Sequence, residues 1–533
     1  MSQAGPQQPL EFGRESDQRA VIDFLADPAS HGGQPVERFE THGNLVFVAG
    51  GDAFKIKRAV GFDYMDFSTL AKRRAACGRE VAVNQRCGGD LYVGSIPIRR
   101  SAAGQLSFGG DGVIVEWAVR MRRFEQGALL SERARNGDID TALAKQLAAA
   151  VYACHHGADR APRASGLEAL QDLRRSIGVG LKGQGVFYAQ DTGRLAVGLR
   201  QQLDGAAAVL NERARRGYVR RCHGDLHLAN IVLWHGRPIL YDAIEFDEAL
   251  ATIDTLYDLA FLLMDIDFHG LRPTANTVLN RYLWLSSDSW DLQGLRALPA
   301  FLTLRAAIRA RVTADRASQK DGAVRTAAIA HAQRYLDAAS SYVVPVPPKL
   351  IAIGGFSGTG KTTLAAALAP WIGGAPGAVH LRSDLERKAL AGVGEFERLP
   401  DSSYTPQARQ RIYAGLQDKA KAILRANHSV IVDAVYADES HRNQIEAMAD
   451  ALGVAFRGFW LEADPRRLVA RVAARRDDAS DATPHVVRAQ LGAGTKPLSR
   501  RWRALNADGG AEQSFDLASS AISSKLPATG RLS

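Results

Sequence analysis

A run of residues in the C-terminal third of the chain has the types and spacing of a phosphate-binding loop. The run is Gly355, Phe356, Ser357, Gly358, Thr359, Gly360, Lys361, Thr362 and Thr363. Apolar residues 350–354 predict a buried strand before it, and residues 362–369 predict a helix behind it. Glycines let backbone N–H groups surround phosphates, while Lys361 supplies positive charge and the Thr362 hydroxyl binds Mg²⁺. The sequence therefore predicts an ATP site with magnesium here.

A later strand of the same region predicts an acidic partner for the metal. Asp433 ends the run 429–433, and we expect it to contact Mg²⁺ through water. Residues 434–436, which follow it, contain no glutamate. An ATPase of the motor type needs a carboxylate that activates water. The sequence therefore favours phosphoryl transfer to a bound hydroxyl group.

Asp384 and Arg387 follow another predicted strand, at 379–382. The carboxyl ends of parallel strands are where such sheets bind ligands. We expect Asp384 to accept the proton of a substrate hydroxyl and Arg387 to hold an anionic acceptor. The alternative is that Asp384 caps a helix whose first turn is charged.

Three arginines share one predicted helix near the end of this region. They are Arg471, Arg475 and Arg476, and the acidic residues Asp477, Asp478 and Asp481 come after them. One interpretation is a mobile lid in which Arg471 and Arg475 stabilise charge on the transferring phosphoryl group. The alternative is a solvated arginine face.

A second group of chemically suggestive residues lies near the middle of the chain. Asp225 is followed five residues later by Asn230, and Asp242 comes twelve residues after that. The apolar runs 231–233 and 239–241 between them predict a hairpin. This order matches a kinase catalytic loop, in which Asp225 would accept the substrate proton while Asn230 and Asp242 hold Mg²⁺.

Residues upstream supply the other parts of a kinase site in the usual order. Lys55 and Lys57 lie on one face of a predicted strand, and Glu80 lies on the following helix, where it can pair with one of them. The stretch 115–120, with Ala118 at its centre, suits a hinge whose backbone meets adenine. The alternatives are a solvated strand face for the lysines and an ordinary charged helix for Glu80.

Residues 220–247 resemble the aminoglycoside phosphotransferase and choline-kinase branch of the protein-kinase-like fold. The resemblance implies that Asp225 is the base, that Asn230 and Asp242 bind the metal, and that Asp258 braces the catalytic loop. The chain departs from the pattern because no clear glycine-rich loop precedes Lys55. Either lysine could meet the phosphates, and Lys57 is preferred.

The P-loop region is similar to gluconate-kinase-like, chloramphenicol-phosphotransferase-like and zeta-toxin-like domains, which phosphorylate small hydroxyl compounds. The whole chain resembles bacterial two-part proteins that join a domain like the aminoglycoside phosphotransferases to such a P-loop domain. The resemblance implies an architecture, and it leaves the acceptor open.

These elements predict an α+β kinase-like half followed by an α/β P-loop half with a parallel sheet. The kinase-like half is expected at 15–342, with a strand-rich small lobe at 15–115 and a helical large lobe at 116–342. Residues 343–348, rich in proline, are the predicted linker. The P-loop half is expected at 349–508, and 509–533 is a weakly patterned tail.

Composition narrows the partners. The net charge of +10 is spread along the chain without a basic stripe, which makes nucleic acid an unlikely partner. No apolar stretch is long enough to span a membrane. The four cysteines show no close pairing, so we expect reduced thiols in a cytoplasmic protein.

We therefore expect a bifunctional phosphotransferase that uses ATP and Mg²⁺ in both halves, each with a small-molecule hydroxyl acceptor. The first alternative is that the kinase-like half senses nucleotide and regulates the P-loop half without catalysing a reaction. The second is a nucleic-acid-associated ATPase. No motif indicates the acceptors or the oligomeric state.

Overall fold

The computed structural model describes residues 15–41, 43–62, 65–161, 166–476 and 478–522. Asp477 and residues 523–533 of the predicted tail lie outside the described residues. The described parts of Met1–Ile139, Ala149–Ala164 and Gly217–Leu259 form one compact unit, the N-terminal unit. Those of Asp140–Ala148, Ser165–Arg216 and Ala260–Ser533 form the C-terminal unit.

Helices occur in both units. In chain order they are α1 (Glu15–Ala26), α2 (Leu70–Gly88), α3 (Leu130–Asn136), α4 (Thr141–His156), α5 (Glu168–Gly183), α6 (Ala189–Arg215), α7 (Glu248–Ala251), α8 (Thr255–Phe268), α9 (Arg272–Ser286), α10 (Ser289–Gly294), α11 (Leu298–Ala317), α12 (Gly322–Tyr342), α13 (Lys361–Leu368), α14 (Ser383–Ala391), α15 (Pro406–Arg425), α16 (Glu439–Leu452), α17 (Pro465–Ala474), α18 (Pro484–Ala493) and α19 (Ala511–Ile522).

Strands of the N-terminal unit form one large antiparallel sheet and three short pairs. They are β1 (Val36–Glu40), β2 (Asn44–Ala49), β3 (Asp52–Lys57), β4 (Gly61–Phe62), β5 (Met65–Asp66), β6 (Tyr92–Arg100), β7 (Leu106–Phe108), β8 (Val113–Arg122), β9 (Val219–Arg221), β10 (Ile231–Trp234), β11 (Arg237–Leu240) and β12 (Thr252–Asp254). The large sheet has the order β1-β2-β3-β8-β6-β7. The short pairs are β4 with β5, β10 with β11 and β9 with β12.

One face of the large sheet forms a hydrophobic core with α1. Leu45 and Phe47 alternate with half-buried residues along β2, as expected for a strand with one buried face. They pack in one cluster with Ile56 of β3 and with Val21 and Leu25 of α1. This core holds β3, the strand that carries Lys55 and Lys57.

Strands of the C-terminal unit form a parallel sheet around the predicted P-loop strand. They are β13 (Lys349–Gly355), β14 (Val379–Arg382), β15 (Val430–Asp433), β16 (Ala455–Glu462) and β17 (Trp502–Asn506), in the order β14-β15-β13-β16-β17. All neighbouring pairs are parallel. The predicted fold class is confirmed in both halves: an α+β half with an antiparallel sheet and an α/β half with a parallel one.

Two boundaries differ from the expectation. Helix α19 lies in the predicted tail, yet its Phe515 and Ala518 are buried in the core cluster of the P-loop sheet because they share one helix face. Helices α9 to α12 precede the predicted linker at 343–348 but belong to the same compact unit as the P-loop sheet. The division of the chain at 343–348 stays a prediction.

Among the residues with described structure, no helix combines the length and apolar character that crossing a membrane requires.

The expectation of four reduced thiols is wrong for one pair. Cys87 of α2 and Cys154 of α4 form a disulfide with their Cα atoms 5.5 Å apart. Their separation of 67 residues gives no local sequence signal, because tertiary packing brings the two helices together. Cys77 and Cys222 are free and buried. Burial raises the pKa of the Cys77 thiol to about 12, so this group stays protonated at neutral pH.

We expect Cys154→Ser to lower the free energy of unfolding of the N-terminal unit by about 2 to 4 kcal/mol, because the cross-link restricts the unfolded chain. Denaturant unfolding with and without dithiothreitol measures this loss. Reductant should destabilise the wild type and leave the variant unchanged. Thiol titration of the unreduced, denatured wild type should detect Cys77 and Cys222 alone, and reaction of all four cysteines would contradict the pairing.

Candidate active sites

The N-terminal unit holds two lysines against one buried glutamate. Lys55 Nζ lies 2.8 Å from Glu80 Oε1 and 2.5 Å from Asp242 Oδ1. Lys57 Nζ lies 2.5 Å from Glu80 Oε2 and also contacts Glu245. The side chains of Lys57 and Glu80 are fully buried, whereas that of Asp242 is 44% exposed. Glu80 therefore connects the fully buried Lys57 to Lys55, whose other partner, Asp242, is exposed to solvent.

This cluster keeps both lysines charged. Burial alone would lower the pKa of Lys55, but Asp242 and Glu80 raise it well above its ordinary value. Burial also opposes charge on Lys57, yet Glu80 and Glu245 raise its pKa. Conversely, burial would raise the pKa of Glu80, but the two lysines hold it below its ordinary value. All three groups are ionised at neutral pH.

The preference for Lys57 as the phosphate ligand does not agree with this geometry. Lys57 lies between two buried carboxylates and has no exposed side-chain surface. Lys55 contacts Asp242, the predicted metal ligand. Lys55 is therefore the better candidate, and Lys57 is better described as a support for Glu80.

The predicted hairpin brings the catalytic-loop residues together. Asn230 Nδ2 donates hydrogen bonds to the backbone oxygen of Asp225 (3.0 Å) and to its Oδ2 (3.1 Å). Strands β10 and β11 pair in antiparallel register. The backbone N–H of Tyr241 donates to the backbone oxygen of Asn230 at 3.0 Å. Asp242 follows directly, with a left-handed backbone (φ +59°). Its N–H donates to the hydroxyl of Tyr92 at 3.0 Å.

Asp258 braces this loop, as the resemblance implied. The backbone N–H groups of His223 and Gly224 donate to its carboxylate at 3.1 and 3.0 Å. His155 Nε2 lies 3.1 Å from Asp258 Oδ2. Burial lowers the pKa of His223. Its Nε2 lies 2.9 Å from the backbone carbonyl oxygen of Tyr241. The buried Asp258 carboxylate therefore holds the loop in place.

Ala118 lies in a place that does not suit the predicted adenine contact. It is fully buried in the middle of β8, opposite Ile56 of β3 and Ile96 of β6. Strands on both sides therefore occupy the backbone edges that an adenine base would need. The hinge assignment at 115–120 requires correction, because these residues lie within a central strand and the chain leaves the sheet only after Arg122.

In the C-terminal unit the glycine-rich run forms the predicted loop between β13 and α13. Gly358 and Gly360 have φ values of +89° and +88°. A Cβ atom on Gly358 would lie 2.8 Å from the Leu468 oxygen, so the loop requires glycine there. Lys361 Nζ donates to the Phe356 oxygen at 3.0 Å. Burial lowers the pKa of Lys361, and the nearby Asp433 opposes this shift.

The predicted metal ligands of this unit meet because β15 pairs directly with β13. Asp433 lies opposite Ile353, next to the P-loop. The Thr362 hydroxyl donates to Asp433 Oδ2 at 2.5 Å, and His380 Nε2 lies 3.5 Å from the same atom. Burial would raise the pKa of Asp433, but His380, Lys361 and Thr362 lower it. A charged carboxylate beside the hydroxyl group of Thr362 fits a magnesium site.

Asp384 lies in the first turn of α14, but it is not the N-cap residue, which is Arg382. Its Oδ1 accepts a hydrogen bond from Arg387 Nη1 at 3.0 Å, and its side chain is 28% exposed. The Arg387 guanidinium carbon lies 4.7 Å from the Tyr404 ring centroid. This geometry is compatible with the predicted base and weakens the helix-cap alternative.

The predicted lid arginines have different surroundings. Arg471 donates to the Ala507 oxygen (3.0 Å) and to the Gly358 oxygen (3.4 Å), which attaches α17 to the P-loop. Arg475 Nε lies 3.4 Å from Asp478 Oδ2. Only Arg471 thus touches the phosphate loop directly in this structure. The roles of both arginines in transfer stay predictions.

Sequence reasoning missed two contributors. Glu245 forms an ion pair with Lys57. Its position three residues after Asp242 was a sequence signal for this contact. Gln490 of α18 accepts a hydrogen bond from the Ser357 N–H at 2.8 Å. No spacing links Gln490 to the P-loop, from which it is separated by 133 residues.

Comparison with known proteins divides along the same line. Residues 350–497 match the model of a family described as an AAA domain. An uncharacterized protein of Mycobacterium tuberculosis strain H37Rv is 28% identical over 466 residues, which cover 84% of this chain and 88% of that protein. An uncharacterized protein of Mycobacterium bovis matches to the same extent.

Among solved structures, a choline/ethanolamine kinase family protein from Mesorhizobium loti is 18% identical and covers 61% of this chain and 98% of its own, with a TM-score of 0.33. A gluconokinase from Sinorhizobium meliloti 1021 is 20% identical and covers 32% and 89%, with a TM-score of 0.25. The two-part organisation that the sequence predicted is present in the structure. A half with a parallel sheet and a P-loop follows a strand-rich half with an antiparallel sheet.

Substitution of Lys55 should mainly affect nucleotide binding, and substitution of Lys57 should mainly affect the stability of the protein. Lys55→Met should weaken Mg·ATP binding at the N-terminal site by about ten- to a hundredfold, the loss of one charge-assisted hydrogen bond. Lys57→Met leaves Glu80 and Glu245 under-compensated inside the protein and should cost about 3 to 5 kcal/mol of stability.

Nucleotide titration and thermal unfolding in a Lys361→Ala background measure both effects with the P-loop site silenced. Both lysines compensate Glu80, so thermal unfolding must show that each variant is folded before its nucleotide binding is compared. Normal binding by Lys55→Met together with lost binding by a stable Lys57→Met would restore Lys57 as the phosphate ligand.

Proposed function

We propose that the chain is a bifunctional phosphotransferase, and that each half transfers the γ-phosphoryl group of ATP to a small-molecule hydroxyl group. One observation carries the proposal: two separate sites each combine a lysine, a pair of metal-type ligands and a further carboxylate. These are Lys55 with Asn230, Asp242 and Asp225, and Lys361 with Thr362, Asp433 and Asp384.

In the N-terminal unit, Asp225 accepts the proton of the substrate hydroxyl. Its carboxylate is 42% exposed, so it can meet a substrate, and Asn230 fixes its orientation. Lys55 binds the phosphates while Glu80 holds it in place. Asn230 and Asp242 offer an amide oxygen and a carboxylate for Mg²⁺.

In the C-terminal unit, the backbone N–H groups of the P-loop and Lys361 bind the triphosphate. Thr362 and Asp433 are the metal side of this site, Asp384 is the base, and Arg387 is available to an anionic acceptor. In both units a bound Mg²⁺ would neutralise charge on the phosphate oxygens. Positioning and charge stabilisation then supply most of the catalysis.

The chemistry around Asp433 supports a hydroxyl acceptor over water. Ala434, Val435 and Tyr436 follow it, so this strand end presents no second carboxylate for water activation. A small-molecule acceptor, rather than nucleic acid, and a cytoplasmic location remain part of the proposal. The competing function is an N-terminal unit that senses nucleotide and regulates transfer by the other unit.

An acceptor screen that follows ADP formation by full-length protein tests these alternatives. The variants are Asp225→Ala, Asp242→Ala, Asp384→Asn and Lys361→Ala. Asp225→Ala should lower turnover of one set of acceptors by about 10²–10⁴, the typical contribution of a general base, and Mg·ATP should still bind. Asp242→Ala should lose both turnover and ATP binding at that site, because it removes a metal ligand.

Lys361→Ala and Asp384→Asn should affect a different set of acceptors. Lys361→Ala should lose ATP binding there, whereas Asp384→Asn should lose turnover alone. If Asp225→Ala leaves every activity unchanged while Asp242→Ala alters the rate of the C-terminal unit, the N-terminal unit is a sensor and its assignment as an enzyme is wrong.

A further inference from the structure

A cavity of about 310 Å³ in the C-terminal unit adjoins the P-loop helix. Thr362 and Thr363 line one part of it, and Arg281 and Trp284 of α9 line another. Small-molecule sites commonly have volumes of roughly 300–1,000 Å³, so the cavity suits a compact ligand. Because Thr362 also contacts Asp433, the cavity reaches the side of the site where the phosphoryl group would be transferred.

Helix α9 forms a fixed wall of this cavity. Strand β14 is at the edge of the parallel sheet, so its outer backbone groups lack a neighbouring strand. Asn276 Nδ2 donates to the Ala378 oxygen at 3.0 Å, and Asn280 Oδ1 accepts from the His380 N–H at 2.6 Å. Asparagine offers both a donor and an acceptor, so these side chains replace the missing strand.

The lining of the cavity has one more cationic than acidic side chain. Four cationic and three acidic side chains line the cavity. Arg281 Nη1 lies 2.8 Å from the buried carboxylate of Glu395, Lys145 Nζ lies 3.3 Å away, and Arg382 Nη1 lies 3.8 Å away. One carboxylate thus faces three cations, and Arg382 also lies 3.6 Å from Asp478. Lys419 is paired with Glu386, so the cluster of Arg281, Lys145 and Arg382 against Glu395 and Asp478 holds one positive charge in excess.

Three N–H donors of the lining residues are buried beside the cavity. Arg281 Nε, Trp284 Nε1 and Arg382 Nε have no hydrogen-bond partner within the part of the chain that the structure describes. Buried donors are rarely left unpaired in folded proteins. The Arg281 guanidinium carbon lies 4.3 Å from the Trp284 ring centroid, which holds the two side chains together.

We propose that this cavity is the acceptor site of the C-terminal phosphotransferase, and that the acceptor is a hydroxyl compound bearing a carboxylate or phosphate group. The anionic group binds near Arg281 and Arg382, which line the cavity, whereas Arg387, named above for this role, does not line it. The reacting hydroxyl faces Thr362. The hydroxyl oxygen bonds to the γ-phosphorus of ATP, the bond from that phosphorus to the ADP oxygen breaks, and the hydroxyl proton passes to Asp384, which lies in the sequence between the lining residues Arg382 and Leu385. This inference rests on the proposed phosphoryl transfer by the C-terminal unit.

The test uses full-length protein and three probes of similar size: D-gluconate, D-glucose 6-phosphate and neutral D-glucose. Equilibrium binding is measured separately from phosphoryl transfer, and ATP affinity is measured for every variant. At least one anionic probe should bind about tenfold or more tightly than glucose and become phosphorylated. Arg281→Gln should weaken that binding by about tenfold, the loss of a charge-assisted hydrogen bond, while ATP affinity is retained.

Two further variants keep the test informative if Arg281→Gln is unstable. Arg281→Lys retains the charge and should retain part of the binding, and Trp284→Phe removes only the indole N–H. Arg325→Ala changes an exposed arginine of α12 and is the matched control, with unchanged binding expected. The preferred anionic probe distinguishes a carboxylate ligand from a phosphate ligand.

The proposal is overturned if glucose binds as tightly as both anionic probes or if neither anionic probe binds to protein that binds ATP. It is also overturned if folded Arg281→Gln binds like the wild type. Binding that depends on Arg281 without transfer would overturn the acceptor role and would retain the anion site, while the acceptor screen described above tests the C-terminal activity itself. Failure of the wild type to bind ATP would instead overturn the proposed function itself.

Discussion

Glu80 carries a negative charge with no exposure to solvent, and the N-terminal site depends on how that charge is balanced. A buried carboxylate is stable only when cations or donors compensate it. Two lysines do so here, and because both come from β3 the strand is held to α2. Lys57 closes the buried side of the pair, while Lys55 extends the network to Asp242. The position of Lys55, the proposed phosphate ligand, therefore follows from the need to compensate Glu80.

The same constraint organises the other functional regions. Asp258 is fully buried and accepts backbone N–H groups from the catalytic loop. Asp433 is balanced by Thr362 and His380 beside the P-loop, and Glu395 gathers three cations at the edge of the cavity. Each carboxylate fixes a neighbouring segment whose own residues are proposed to bind the ligand. Helix α9 has a related role, because its asparagines complete the edge of the P-loop sheet, and a fragment beginning after the predicted linker would lose them.

The features that could be predicted from the sequence are those determined by residues close together in the chain. The P-loop run fixes its own backbone through glycines, and the hairpin between Asn230 and Asp242 follows from two short apolar runs and a turn. Features that depend on tertiary packing were not predictable: Cys87 meets Cys154 only through two helices, and Gln490 reaches Ser357 across 133 residues. The hinge was wrongly assigned to the segment around Ala118 because a central strand and a hinge have the same apolar pattern. Only the pairing of β8 with strands on both of its sides distinguishes the two.

The central claim is that one chain contains two independent nucleotide sites, and the number of nucleotides bound per chain tests it most directly. Native mass spectrometry or equilibrium dialysis of full-length protein with Mg²⁺ and a non-hydrolysable ATP analogue gives this number. We expect two bound nucleotides in the wild type, one in Lys361→Ala, one in Asp242→Ala and none in the double variant. A single bound nucleotide in the wild type, lost completely in Lys361→Ala, would contradict a nucleotide site in the N-terminal unit.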